Sequence, residues 1–245
     1  MIQGTSAVYY RELLVLRHRL GRLIPSWSVS PLLYLIAFGY AVGKHVTIDG
    51  VPYMEFLLPG LVAMSSMTQA FAISSEINIA RFYWHIFEEI QAAPVSDLSY
   101  VAGEVLAGMT RAIIAIVVII ILGLLFGVVL SLNGWFWLTI VLNSFVFASL
   151  AVGLAMLVKS HADQTLLTSF VITPMAFLGG TVFPLESMPP WAQSLINLLP
   201  LTHAATAIRA AAFGEIPSIN SYLILGVSGA VCFIFAVFCV KKAKD

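Results

Sequence analysis

Two adjacent carboxylates, Glu88 and Glu89, stand in a short charged stretch, Arg81–Ser96 (RFYWHIFEEIQAAPVS), between two long apolar segments. On an exposed helix such a pair accepts charge-assisted hydrogen bonds from the cations of another surface. Wound as an α-helix, Phe82, Tyr83, Ile86, Phe87, Ile90 and Ala93 share one arc. Arg81, His85, Glu88 and Gln91 share the other, with Trp84 among them and Glu89 at the border. The pattern predicts one amphipathic helix over 81–93, with an apolar side to seat and a charged side to present. Pro94 ends it, because it has no N–H to donate and disfavours helical geometry at Ala93. On the residues alone two readings stay open. Phe82, Ile86 and Ile90 seat a rod that shows its glutamates to another protein, or the stretch is a charged interfacial loop that fixes topology.

The remaining ionisable residues point to structure rather than catalysis. Glu76, Glu104 and Arg111 fall near the inner ends of apolar segments, where long side chains reach the interface. A Glu–Arg structural pair is expected there rather than a proton relay, since the middles of the apolar segments hold no carboxylates. Polar residues do occur inside them: Ser65, Ser66, Thr68, Gln69 and Ser74 in one, Thr165, Thr168, Ser169 and Thr173 in another. They suit either the lining of a path for an amphipathic substrate or hydroxyl contacts that glue helices together. No Gly-x-x-x-x-Gly-Lys-Ser/Thr loop is present, so no ATP hydrolysis is expected from this chain, and energy must come from a partner or an ion gradient. Cys232 and Cys239, the only cysteines, lie in one apolar segment without disulfide or metal spacing and are expected to pack. No metal ligand set is expected.

One motif suggests a different chemistry. Gly226-Val227-Ser228-Gly229 matches the Gly-x-Ser-Gly pattern of rhomboid-type intramembrane proteases. Such an enzyme needs a general base beside the serine within the membrane. His18, His45, His85, His161 and His203 all fall in interfacial or loop segments. The glycines are therefore expected to serve close helix packing, as are Gly123 and Gly127.

The elements that must position these residues follow from composition. Hydrophobic residues make up 60% of the chain and charged ones 10%, against roughly 25% charged in a soluble domain. Net charge is zero, so nucleic acid is not an expected partner. Six apolar segments near 24–43, 55–75, 99–127, 135–158, 164–183 and 220–240 are each long enough to cross a bilayer. Trp27, Trp135, Trp137 and Trp191 fall near their ends, where aromatic belts form. Residues 4–22 read as an interfacial helix, Val8, Leu13, Leu16 and Leu20 facing lipid and Arg11, Arg17 and Arg22 facing water, with a cytoplasmic tail that only sets topology as the alternative. This stretch lacks the apolar core of a signal peptide, so the first span is expected to be kept.

With the N-terminus inside, Arg11, Arg17, Arg19, Arg22, Arg81, Arg111, Lys159, Lys241, Lys242 and Lys244 lie inside and only Lys44 and Arg209 outside. That asymmetry predicts cytoplasmic termini. Residues 184–219 are too apolar for a solvated loop and too broken for a span. Pro189 and Pro190 suit a helix start, Pro200 a stop, and a second helix over Thr202–Phe213 ends at Gly214. Two short re-entrant helices fit this best. No internal repeat or linker divides the chain, so one domain is expected.

Taken together, several motifs resemble the type-2 ABC exporter permeases, in the branch of nodulation-factor, polysaccharide and multidrug exporters. They are Glu88-Glu89 with Ala93-Pro94-Val95; Pro174 with Leu178-Gly179-Gly180; Phe183-Pro184-Leu185; Met188-Pro189-Pro190-Trp191; Leu199-Pro200-Leu201; and the lone outside Arg209. One departure is His85-Ile86, where many members carry a small Gly-Thr pair. The resemblance implies an all-α integral membrane domain of six transmembrane helices. It adds an N-terminal interfacial helix, a cytoplasmic coupling helix between spans two and three, and two re-entrant helices before span six. It implies a bacterial inner-membrane homodimer with two separate ATPase subunits that bind ATP and Mg; this chain itself binds no cofactor. Phe82, Ile86, Glu88, Glu89, Ile90 and Pro94 then form the ATPase-coupling element. Gln69 and Thr173 become pathway-lining candidates, because the resemblance sets spans two and five at the dimer interface. Pro184, Pro190, Trp191, Pro200 and Arg209 belong to the outer gate. The expected substrate is amphipathic or lipid-linked. A Ser228 protease and a membrane subunit that transports nothing stand as alternatives.

Overall fold

The computed structural model describes residues 2–40, 47–48 and 50–243. The end of the first expected span (41–43), Lys44, His45 and Lys244 lie outside the described residues. Helix α1 runs Ile2–Tyr34 and continues as a π-helical stretch, Leu35–Tyr40. The interfacial helix expected over 4–22 and the span expected from 24 are therefore one rod. Pro25 and Pro31 lie inside it and do not end it. Its 33 residues reach roughly 50 Å, longer than the hydrocarbon core is thick. Val8 does not face lipid: it is buried on Gly103, as Gly4 is set against Ser99. A glycine and a serine on the facing helix let the two backbones approach.

Strands β1 (Thr47–Ile48) and β2 (Val51–Pro52) pair antiparallel around Gly50, a small addition to the all-helical expectation. Helices α2 (Tyr53–Phe71) and α3 (Ile73–Phe82) follow end to end, with α4 (Ile86–Ala92) after a turn. Helices α5 (Asp97–Leu125) and α6 (Gly134–Leu157) start on Ser96 and Asn133, whose side chains accept from the backbone N–H of Ser99 and Phe136. Those caps satisfy donors that the first helical turn leaves without partners. Next come α7 (His161–Leu167), a π-helical stretch (Thr168–Ile172), α8 (Thr173–Leu178) and a 3-10 turn (Leu185–Ser187). Helices α9 (Pro190–Ile196), α10 (Pro200–Ala212) and α11 (Ile219–Lys242) complete the chain.

Helix α2 is the axis of the bundle, with α5, α6 and α10 packed around it and α11 along α6. Among the described residues, four helices are long and apolar enough to cross a membrane: Tyr53–Phe82, Asp97–Leu125, Gly134–Leu157 and Ile219–Lys242. Of the expected first and fifth spans, the described part of the first is helical to Tyr40 and the fifth only to Leu178, each changing helix type along its length. Small residues hold the helices close: Gly108 faces Ala148 and the Ala70 carbonyl, and Gly153 and Gly229 face Phe235 and Phe145. Asn143 Nδ2 donates to Ser66 Oγ at 2.5 Å, tying α6 to α2. Pro200 is not the stop the sequence suggested: it opens α10, where a missing N–H costs nothing. That helix ends at Gly214 in a left-handed turn, with Glu215 N donating to Ala210 O and Gly214 N to Ala211 O.

Candidate functional site

The coupling stretch is not one helix. Helix α3 ends at Phe82, Tyr83 and Trp84 turn, and His85 adopts φ 53°, the left-handed region. Helix α4 then starts afresh, so the arcs drawn across 81–93 do not hold. Arg81, expected on the exposed charged side, is half-buried and donates from Nη1 to Met156 O at 2.8 Å and Ala155 O at 3.4 Å. A cation there satisfies carbonyls at the C-terminus of α6 and suits its dipole. Tyr83, expected on the apolar arc, is exposed. His85, the one non-glycine residue at positive φ among the described residues, marks the break, and no spacing in the sequence signals it.

Within α4 the two-sidedness survives at smaller scale. Phe87 is buried and packs edge-on against Tyr100 of α5, with ring centroids 5.4 Å apart. Ile86 and Ile90 are half-buried, while Glu88, Glu89 and Pro94 are exposed. His85 Nδ1 lies 3.2 Å from Glu88 Oε1, an exposed contact of little energetic weight. Phe82 belongs to α3 and lies under the Arg81 guanidinium, 5.2 Å from its ring centroid.

Behind α4 lies a cluster of charges that joins α1, α3 and α5. Glu76 Oε1 takes Arg111 Nη1 at 3.0 Å, and its Oε2 takes Arg19 Nη1 at 2.8 Å. The expected Glu–Arg pair thus exists, with Arg19 as a third member. Glu104 is not part of it; it is buried and hydrogen-bonded to Tyr100. Glu12, in the N-terminal half of α1 ahead of the expected first span, pairs with Arg11. Burial raises its carboxyl above the usual range, and the adjacent Arg11 opposes that rise. Arg111 also lies 5.5 Å from the Trp27 ring. A space of about 20 Å³ open to a water-sized sphere, enough for one water, remains beside Arg19, Glu76 and Arg111. Sequence reasoning missed Arg19, Glu12 and Tyr100. The seven-residue step from Glu12 to Arg19 and the four-residue step from Tyr100 to Glu104 put each pair on one helix face.

Gln69 and Thr173 lie on one groove. With Ser26, Ser30, Ser65 and Thr68 they line a groove of about 270 Å³ between α1, α2 and α8, walled by Trp27, Tyr34 and Phe177. Of the other polar span residues, Ser66, Ser74, Thr165 and Thr168 have structural partners instead. Ser74 Oγ accepts from Gln164 Nε2 at 2.7 Å, and Gln164 Oε1 accepts from Asn78 Nδ2 at 3.1 Å, pinning α7 to α3. Thr165 and Thr168 bond carbonyls of their own helix.

At the opposite end of α2, Arg209 of α10 donates from Nη2 to Gly180 O at 2.9 Å and lies 3.8 Å from the Phe56 ring centroid. Tyr53 Oη donates to Val182 O at 2.9 Å, and Gly60 admits the Thr181 carbonyl, where any Cβ would overlap it. The 179–183 turn is therefore clamped between α2 and α10. Pro184 leads into the 3-10 turn, Pro190 opens α9, and Trp191 is exposed and away from this clamp.

Gly229 packs on Phe145 and Val146 and Gly123 on Leu58, as expected, whereas Gly226 faces open space and Gly127, at φ 81° past the end of α5, serves a turn rather than helix packing. Among the described residues no histidine is hydrogen-bonded to Ser228; His18, His85 and His203 have other partners.

The family model described as ABC-2 type transporter matches residues 5–213. Inner membrane transport permease YadH of Escherichia coli K12 is 30% identical over 233 residues, covering 91% of this chain and 88% of the relative. Nodulation protein J of Neorhizobium galegae is 32% identical over 226 residues, covering 87% and 82%. Daunorubicin resistance ABC transporter permease protein DrrB1 of Streptomyces coeruleorubidus is 26% identical over 253 residues, covering 100% and 87%.

Proposed function

Since this chain belongs to the ABC-2 type transporter family and is a membrane permease subunit of that class, we propose that it serves an ATP-driven exporter through α4. The proposed assembly is two copies of this chain in a bacterial inner membrane, cytoplasmic termini, and two soluble ATPase subunits that hold ATP and Mg. The observation that carries the reading is the seating of α4. Its glutamates are exposed while Phe87 is locked on Tyr100, so a push on one side is delivered to α5 on the other. Tyr100 is bonded to Glu104 on α5, and Arg81, next to α4, holds the end of α6. Closure of the ATPases would then move α3, α5 and α6 together and open the groove between α1, α2 and α8.

An amphipathic or lipid-linked substrate fits that groove, which sets hydroxyls and an amide beside Trp27, Tyr34 and Phe177. A relative named for daunorubicin resistance supports the same class. Leu33 and Ile36 near the groove, and Phe170 and Val171 on the α7–α8 run, are exposed and apolar, a surface suited to a second copy or to lipid. The six-span arrangement, with α9 and α10 dipping into the outer leaflet, is part of this proposal. The test is a pull-down from gently solubilised membranes. A soluble ATPase should co-purify, and scrambling residues 86–92 alone should abolish it while leaving the Arg81 contacts intact. A chain that always elutes alone would instead favour the non-transporting subunit.

A further inference from the structure

The cytoplasmic-end ligand site with the most built character borders Arg81, just before α4, and lies apart from the groove. A cavity of about 490 Å³ opens between the ends of α3, α6 and α11. Arg81, Lys159 and Lys242 reach it from three different segments, and none of its described lining residues is acidic. Carbonyls of Ala155 and Met156 offset part of one charge, that of Arg81. The walls are apolar, formed by Phe82, Val158 and Cys239 among others.

The outer face of α11 leads directly into this cavity. Leu223, Val227, Val231, Ile234 and Phe238 are all exposed, spaced three or four residues apart, and so form one stripe along the helix. Lys242 stands one turn beyond Phe238 on the same face. An apolar track that ends at clustered cations matches a molecule with acyl chains and an anionic head. Basic pockets between transmembrane helices on the cytoplasmic side recognise such heads.

We propose that this cavity binds the phosphate head group of an anionic phospholipid, whose chains lie along the α11 stripe. The proposal rests on the membrane placement of the chain and is independent of the coupling role of α4. It is tested on the purified complex in mild detergent with phosphatidylcholine, with or without phosphatidylglycerol, by counting lipids retained per chain by native mass spectrometry. Wild type should retain one phosphatidylglycerol and no phosphatidylcholine. The Lys159→Gln/Lys242→Gln variant should bind it roughly thirtyfold more weakly, for two near-surface lysines. Lys159→Arg/Lys242→Arg should keep it, which guards against misfolding. Arg17→Gln/Arg22→Gln, a matched charge loss elsewhere, should also keep it.

Equal retention in wild type and the double glutamine variant would overturn the proposal, as would equal loss in both neutralised pairs. Displacement of the lipid by inorganic phosphate alone would assign the site to a soluble anion and overturn the lipid. Protection of Lys159 and Lys242 from amine labelling by the ATPase, and not by phosphatidylglycerol, would give the cavity to the protein partner instead.

Discussion

Replacing Glu76 with Gln removes the anion that two arginines share, and the structure sets the size of the loss. The two arms are unequal. The Arg19 side chain is 38% exposed, so its ion pair is screened and contributes about 0–1 kcal/mol. The Arg111 side chain is 12% exposed and its Nε already lacks a described partner, so removing its counter-ion leaves a nearly buried cation. That arm costs about 2–3 kcal/mol. The sum is roughly 3 kcal/mol, or a fall in melting temperature of about 6–12 °C for a chain of this size. Thermal unfolding in detergent or nanodiscs, followed by intrinsic tryptophan fluorescence, reads it. The Glu76→Gln/Arg111→Leu double variant should recover at least half of the loss, because neither charge is then left alone. A single variant within about 0.5 kcal/mol of wild type, or strictly additive losses in the double, would refute the reasoning.

The turn at His85 gives a contrast between two substitutions. His85→Gly should be close to neutral, since glycine takes φ 53° without strain, whereas the β-branched His85→Val should cost about 2 kcal/mol more, read as a difference in melting temperature. Gly60→Ala should prevent stable folding, because its Cβ overlaps the Thr181 carbonyl, while Gly134→Ala, with open space around it, should change stability by less than about 0.5 kcal/mol. Expression with a size-exclusion profile separates the two.

How much of this was legible in the sequence depended on the range of the signal. Long apolar stretches revealed α5, α6 and α11 to within two residues at each end, because burial and bilayer length act on composition alone. The break at His85 was hidden. The apolar spacing of Phe82, Ile86 and Ile90 continues smoothly across it, and only a backbone angle marks the change. Arg19 looked like one of several topology-setting arginines, and its partner is 57 residues away on α3. Arg81 looked solvated because it stands beside Glu88 and Glu89 in sequence, yet its acceptors are carbonyls of α6. Helices α9 and α10 were visible from their prolines, although Pro200 opens α10 and does not end α9. The small-residue face of α10, Ala204, Ala205, Ala207 and Ala211, packs into the bundle core, which those prolines could not announce. Gln69 and Thr173 were singled out only through the family resemblance and not through any periodicity, and that they line one groove follows from the packing of α1, α2 and α8.

The most direct test of the coupling account is a single charge reversal on α4, measured with the permease and its ATPase reconstituted together in liposomes. Glu89 is exposed and makes no described ion pair, so Glu89→Lys should insert and fold as wild type does. The account predicts that transport and substrate-stimulated ATP hydrolysis both fall at least tenfold, about 1.4 kcal/mol or more of lost coupling, while basal hydrolysis by the free ATPase is unchanged. Glu215→Lys, an exposed reversal just after α10, should leave both activities intact. Stimulation by substrate that is undiminished in Glu89→Lys would contradict the claim that α4 carries the force.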